Sequence, residues 1–120
     1  TETLKILIVE PSKLHASLIE HTLQSLPVDF TFTTDGMQAL DNLLLNKYDL
    51  LITSLESSRL NGDALVAALR LVRNFNRNIK TILITSRDVA KIANKNDFNE
   101  ILDRKEVKDG GLKVIVESML

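Results

Sequence analysis

Hydrophobic and polar residues run along this chain in blocks, and the period inside each block separates strands from helices. Leu4–Val9 (LKILIV) is a short, almost continuous apolar run ending at Glu10–Pro11, as expected of a strand buried on both faces. Ser12–Leu26 spreads Leu14, Leu18, Ile19, Leu23 and Leu26 over one broad face and Lys13, Ser17, Glu20 and Gln24 over the other. That spacing predicts a helix, which Pro27 stops. Val28–Thr34 (VDFTFTT) alternates and is rich in β-formers, the pattern of a half-exposed edge strand. Beyond the Asp35–Gly36 turn, Met37–Lys47 predicts a helix with Leu40, Leu43 and Leu44 inward. Tyr48–Ser54 reads as a third strand, and a loop carries the chain to Gly62. Asp63–Arg73 predicts a helix with Leu65, Ala68, Leu69 and Val72 inward. A polar turn at Asn74–Asn78 leads into a fourth strand at Ile79–Thr85. Asp88–Asn94 predicts a short helix, Lys95–Asn99 a polar loop and Ile101–Leu102 a short fifth strand. Lys108–Gly111 is a loop before a last helix at Leu112–Leu120.

The repeat is strand then helix, five times over. Successive strands separated by helices must be parallel, with right-handed crossovers. The predicted architecture is a doubly wound α/β sandwich with strand order 2-1-3-4-5. That order puts the first, third and fourth strands, the most apolar, at the centre, and the alternating second strand at an edge. Composition narrows the function classes. The 120 residues make one domain, 1–120. The start at Thr1 raises the expectation of a longer parent protein. Only 4% of residues are aromatic, so the core is aliphatic. The chain has no cysteine, which excludes disulfides, thiolate metal sites and thiol nucleophiles. No apolar run reaches the ~20 residues of a membrane span, and no signal-peptide pattern precedes Leu4. A formal net charge of −1 with both signs scattered argues against a nucleic-acid module. These features point to a cytoplasmic domain.

In this fold, the strand ends bring Glu10–Pro11, Thr53–Ser54 and Thr85–Ser86 to one crevice, and the end of the fifth strand adds Arg104 and Lys105. KILIVE at 5–10, TDGMQAL at 34–40, YDLLITSLESSRLNG at 48–62 and ILITS at 82–86 stand in order at matching spacings. Over its whole length the chain resembles the receiver domain of bacterial response regulators. The resemblance implies a flavodoxin-like (βα)5 fold and a phosphorelay setting in two-component signalling. A working receiver uses a carboxylate at the end of the third strand as phosphoryl acceptor. Acidic residues hold Mg²⁺, a Lys pairs with the phosphoryl group, and a Thr or Ser hydroxyl binds one of its oxygens. Carried onto this sequence, the acceptor falls on Ser54, the acidic pair on Glu10 and Pro11, and the hydroxyl on Thr85. The basic residue falls on Arg104 or Lys105, because the segment before them is about three residues short. The usual loop proline falls on Ser58 and the aromatic switch on Ile101.

The acceptor carboxylate, one of the two acidic ligands and the switch aromatic are therefore missing. A serine hydroxyl needs an adjacent base to attack, and the sequence places no histidine near Ser54. Glu10 alone is at most a weak Mg²⁺ ligand. The expected reading is a degenerate receiver: no enzyme, no metal, no cofactor, and a phosphorylation-independent role through protein partners. The alternative is an active phosphoacceptor using Ser54 or Thr53. A flavodoxin-like cofactor module is disfavoured, since EPSK at 10–13 has no glycine to cradle phosphate. Glu10 is expected to pair with Arg104 or Lys105. His15 and His21 are expected at the surface of the first helix, and Arg87, Lys91, Lys95, Arg104 and Lys105 in a mostly solvated surface by the fourth helix and fifth strand. The expected partner face comprises Arg87, Lys91, Ile101, Val114 and Leu120, and the apolar last helix offers a homodimer contact.

Overall fold

Apolar runs too short for helices become strands here, and their burial follows their composition. The strands are β1 (Leu4–Val9), β2 (Val28–Thr33), β3 (Leu50–Ser54), β4 (Lys80–Ile84) and β5 (Glu100–Leu102) in the computed structural model, which describes residues 3–120. They form one parallel sheet in the order β2-β1-β3-β4-β5, the flavodoxin-like doubly wound arrangement. Every residue of β3 is buried, whereas β2 is half-buried or exposed from Val28 to Phe32 and buried only at Thr33, as an edge strand should be.

Side chains alternate across each strand, so one sheet builds two aliphatic cores. On one face Leu7, Val9, Leu51 and Leu83 pack under α2 (Gly36–Leu45) and α3 (Gly62–Leu71), which contribute Ala39, Leu43, Leu65, Val66 and Leu69. On the other, Ile6, Ile8, Leu50, Ile52, Ile82 and Ile84 pack under α1 (Lys13–Leu23), α4 (Arg104–Lys108) and α5 (Gly111–Glu117). Ile19 and Leu23 set the rotation of α1 and leave Leu14 68% exposed, although its apolar character placed it on the inner face. Leu44 and Val72, also expected inward, are 40% and 47% exposed because Ala39, Leu43 and Val66 fill the buried stripes of α2 and α3.

Two stretches depart from the predicted pattern. The helix expected at Asp88–Asn94 is replaced by two single 3₁₀ turns, Val89–Lys91 and Lys95–Asp97. Ile92 and Phe98 plug the core there. Polar contacts take the place of a helical face. The Arg70 guanidinium donates to the carbonyls of Arg77, Ile79 and Asp97, and Thr81 Oγ1 also donates to Asp97 O. Burial lowers the pKa of Arg70, and the Asp97 charge opposes that shift. An additional short helix, α4, precedes the expected last one. Asp103 caps α4 in a reciprocal capping box with Glu106. Gly110, at φ +93°, then breaks the path before α5. Arg104 and Lys105 thus open a helix rather than close β5.

Candidate functional site

The crevice lies where β1, β3 and β4 end. β1 hands on to Glu10, whose backbone N–H donates to Thr33 O at 3.0 Å and whose residue is 2% exposed. Its side chain points to both available donors. Arg104 Nη1 donates to Glu10 Oε1 at 2.9 Å, and the Ser12 N–H donates to Oε2 at 3.1 Å. Arg104 reaches this site from the first turn of α4. Lys105, the other candidate for the basic position, is exposed, and its backbone N–H donates to Asp103. Pro11 is exposed and brings neither charge nor donor to the crevice.

Ser54 is 1% exposed and its Oγ donates to Glu56 O at 2.9 Å. Thr53 is wholly buried and donates to Ser54 O at 2.9 Å. Thr85 Oγ1 accepts the Arg87 N–H at 3.0 Å, a strand-end turn that uses its acceptor capacity locally. A cleft of about 220 Å³ remains open beside these ends, lined by Leu55, Glu56, Thr85, Ser86, Arg87 and Arg104. The exposed Arg87–Glu56 ion pair, at 2.8 Å, crosses its rim.

The loop after β3 is held by close approach. Gly62 N–H donates to Leu55 O at 2.7 Å, and a Cβ on Gly62 would stand 2.4 Å from Ser54 O. Gly36 N–H donates to Ser58 O at 2.9 Å, and a Cβ there would stand 1.9 Å from Leu60 O. The two glycines of the DG and NG pairs therefore let the loop lie against the starts of α2 and α3. Arg59 takes positive φ, 65°, and its Nε donates to Asp35 Oδ2 at 2.6 Å. Asp35 also caps α2 by accepting the Met37 and Gln38 N–H groups. The Arg59 hydrogen bond is the main cause holding the Asp35 carboxyl below its ordinary pKa.

The donor set does not fit a divalent cation. Mg²⁺ asks for carboxylate or carbonyl oxygens around an octahedron. The crevice offers Glu10 with both oxygens engaged and an arginine against it, Glu56 at the rim paired with Arg87, and a serine hydroxyl turned to a carbonyl. Among the described residues no group of three or more His, Cys, Asp or Glu side chains could hold a metal ion.

His15 is the residue that sequence reasoning misplaced. It is half-buried and lines a small cavity with Leu18, Ile19, Ile84, Arg104 and Val107, and its Nδ1 lies out of water without a hydrogen-bond partner. The signal was present: His15 stands one helical turn before the buried Ile19. His21 is exposed, with its Nδ1 3.3 Å from Gln24 Nε2. On the expected partner face, Arg87 and Lys91 are exposed, Lys91 within a 3₁₀ turn, and Ile101 is half-buried against the core. Val114 and Leu120 are 67% and 54% exposed. Among the described residues no helix is long and apolar enough to cross a membrane.

The sequence matches no protein-family model. Over 69 residues it is 36% identical to the sensor protein EvgS of Escherichia coli K12, covering 58% of this chain and 6% of that protein's length. Among solved structures, the fold is similar to the signal receiver domain of an HD domain-containing protein from Pseudomonas fluorescens Pf-5. That match has a TM-score of 0.83 at 23% identity and covers 98% of this chain and 87% of the other. A CheY-like response regulator receiver domain from Methylobacillus flagellatus superposes with TM-score 0.82 at 21% identity, covering 99% of this chain and 100% of the other. The receiver domain of a sensor histidine kinase from Pseudomonas aeruginosa PAO1, with a magnesium ion coordinated in its active site cleft, gives 0.76 at 23% identity. It covers 90% of this chain and 93% of the other. The fold is thus the receiver fold of two-component signalling proteins.

Proposed function

We propose that this chain is a degenerate receiver domain that acts in two-component signalling by contacting protein partners, without phosphorylation of its own crevice. The observation that carries this reading is the Glu10–Arg104 pair: a guanidinium, 2.9 Å from the buried crevice carboxylate, takes the place of a bound cation. The charges of Glu10 and Arg104 cancel, so this pair calls for no counterion. The alternative, a phosphoacceptor at Ser54 or Thr53, is opposed by the burial of both hydroxyls and by their donation to backbone carbonyls. Neither has a base beside it to take its proton. The reading assigns no catalytic residue and no cofactor, and it places the domain in the cytoplasm. The exposed Val114 and Leu120 on and beyond α5 are the candidate homodimer contact.

Incubating the chain with Mg²⁺ and either acetyl phosphate or beryllofluoride tests this directly. The expected result is unchanged mass and unchanged amide NMR signals at Ser54, Thr85 and Arg104. A Mg²⁺-dependent adduct on Ser54 or Thr53 would overturn the proposal.

A further inference from the structure

The end of the molecule opposite the crevice carries the most exposed large apolar side chains among the described residues. α2 and α3 pack side by side and run back to the N-terminal ends of the strands. Asn76, wholly buried, ties them there. It donates to the carbonyls of Leu43 and Asn46, and its Oδ1 accepts the Tyr48 N–H. Around this knot Leu45, Leu71 and Phe75 are 77%, 82% and 75% exposed. The core does not require them, because Leu43 and Leu69 already fill the buried positions of the same turns. Large apolar side chains gathered in this way mark contact surfaces more often than they occur by chance.

Beside Phe75 opens a cleft of about 420 Å³, whose lining includes Lys47, Tyr48, Asn74, Arg77, Asn78 and Lys80. Its charge is net positive. Lys47, Arg77 and Lys80 are all exposed against a single carboxylate in the lining, Asp49, which accepts the backbone N–H of Lys5 at 2.8 Å. Lys47 and Arg77 also serve the ends of α2 and α3: Lys47 Nζ donates to Phe75 O, and Arg77 Nε to Arg70 O. Lys80, the first residue of β4, caps no helix. A concave cationic cleft with an aromatic rim and flanking leucines fits an extended or helical peptide better than it fits a flat bilayer.

We propose that this face docks an acidic peptide segment of a partner protein, with aromatic or aliphatic anchors set against Phe75 and Leu71 and carboxylates toward Lys47, Arg77 and Lys80. The proposal does not depend on the state of the crevice, which lies at the other end of the strands. The probe is a random-peptide display library selected on the whole chain. Selection should enrich acidic sequences with apolar anchors. An enriched peptide should shift the amide signals of Phe75, Asn78 and Lys80. Its affinity should fall at least about tenfold in Phe75→Ser and in Lys47→Glu/Lys80→Glu, and should weaken as salt rises. Phe75→Ser removes an exposed side chain, so unchanged circular dichroism will show that the fold survives. Failure to enrich peptides, or peptides whose binding both variants leave intact, overturns the proposal. So does co-sedimentation with phosphatidylserine vesicles that both variants abolish, which would assign the face to an anionic membrane.

Discussion

Removing Arg104 tests whether the crevice is held by its ion pair. Taking away one partner of a fully buried pair costs about 3–5 kcal/mol, because the surviving charge keeps its desolvation penalty and loses its compensation. Here the Glu10 side chain is 1% exposed and that of Arg104 is 26% exposed. In Arg104→Met the carboxylate keeps only the Ser12 N–H, but water can enter from the side the guanidinium left. That screening reduces the expected loss to about 2–3 kcal/mol. Glu10→Met leaves a partly exposed arginine, a smaller penalty of about 1–2 kcal/mol. The double variant strands no charge and should lie within about 1 kcal/mol of the parent. The cycle should then show a coupling of at least about 1.5 kcal/mol. Urea unfolding is the assay. With an m value of about 1.5 kcal/mol/M, Arg104→Met should lower the midpoint by about 1.5–2 M at constant m. Additivity of the two single changes within about 0.5 kcal/mol would show that Glu10 and Arg104 do not depend on each other.

Three further outcomes follow from other parts of the structure. Asn76→Ala leaves the Tyr48 N–H and the Leu43 carbonyl without their side-chain partner in the interior, and should cost about 2–3 kcal/mol, read as a fall in Tm of about 8–12 °C. Gly62→Ala drives a Cβ to 2.4 Å from Ser54 O and should cost about 1–3 kcal/mol, with NMR shifts centred on Thr53–Asp63; an unperturbed protein would show that the loop does not lie against Gly62. The Asp35 pKa is lowered in the folded state, chiefly by the Arg59 hydrogen bond, so its contribution is present above the unfolded pKa and fades as pH falls through the folded value. Arg59→Ala should therefore raise the Asp35 carboxyl pKa seen by NMR and weaken the protein near neutrality more than at pH below about 3.

The frame was legible because burial and composition agree strand by strand. LKILIV and LLITS could not sit on a half-wet edge, and VDFTFT could not sit in the middle, so pattern separated central strands from the edge and the doubly wound fold class supplied the order. The segment between β4 and β5 was not legible in this way. Its turns are ordered by Arg70, Thr81 and Asn94, which lie distant in sequence or donate to distant carbonyls, and no period records such contacts. The Asp103-x-x-Glu106 box, by contrast, was a local signal for α4 hidden by reading Arg104 and Lys105 as a strand end. At the crevice, residue types showed a proline and a serine where the resemblance asks for carboxylates. The choice of Arg104 over Lys105 came only from the direction in which α4 leaves β5.

That direction has an energetic consequence. Arg104 is the first residue of α4, where the helix dipole presents its positive end and a cation is locally unfavourable. Asp103 and Glu106, which bond each other's backbone N–H groups across the first turn, offset part of that field. Glu10 offsets the rest from the end of β1, ninety-four residues earlier in the chain. The helix is only five residues long and buries a single side chain, Val107, so packing alone anchors it weakly. The Glu10–Arg104 bond thus joins the end of a central strand to the start of the C-terminal helical segment, beyond which Val114 and Leu120 lie exposed. In a receiver-type fold built this way, the charge that closes the crevice also sets where the last helices lie. Loss of that charge would be felt first in hydrogen exchange of α4 and α5, before any change in the sheet.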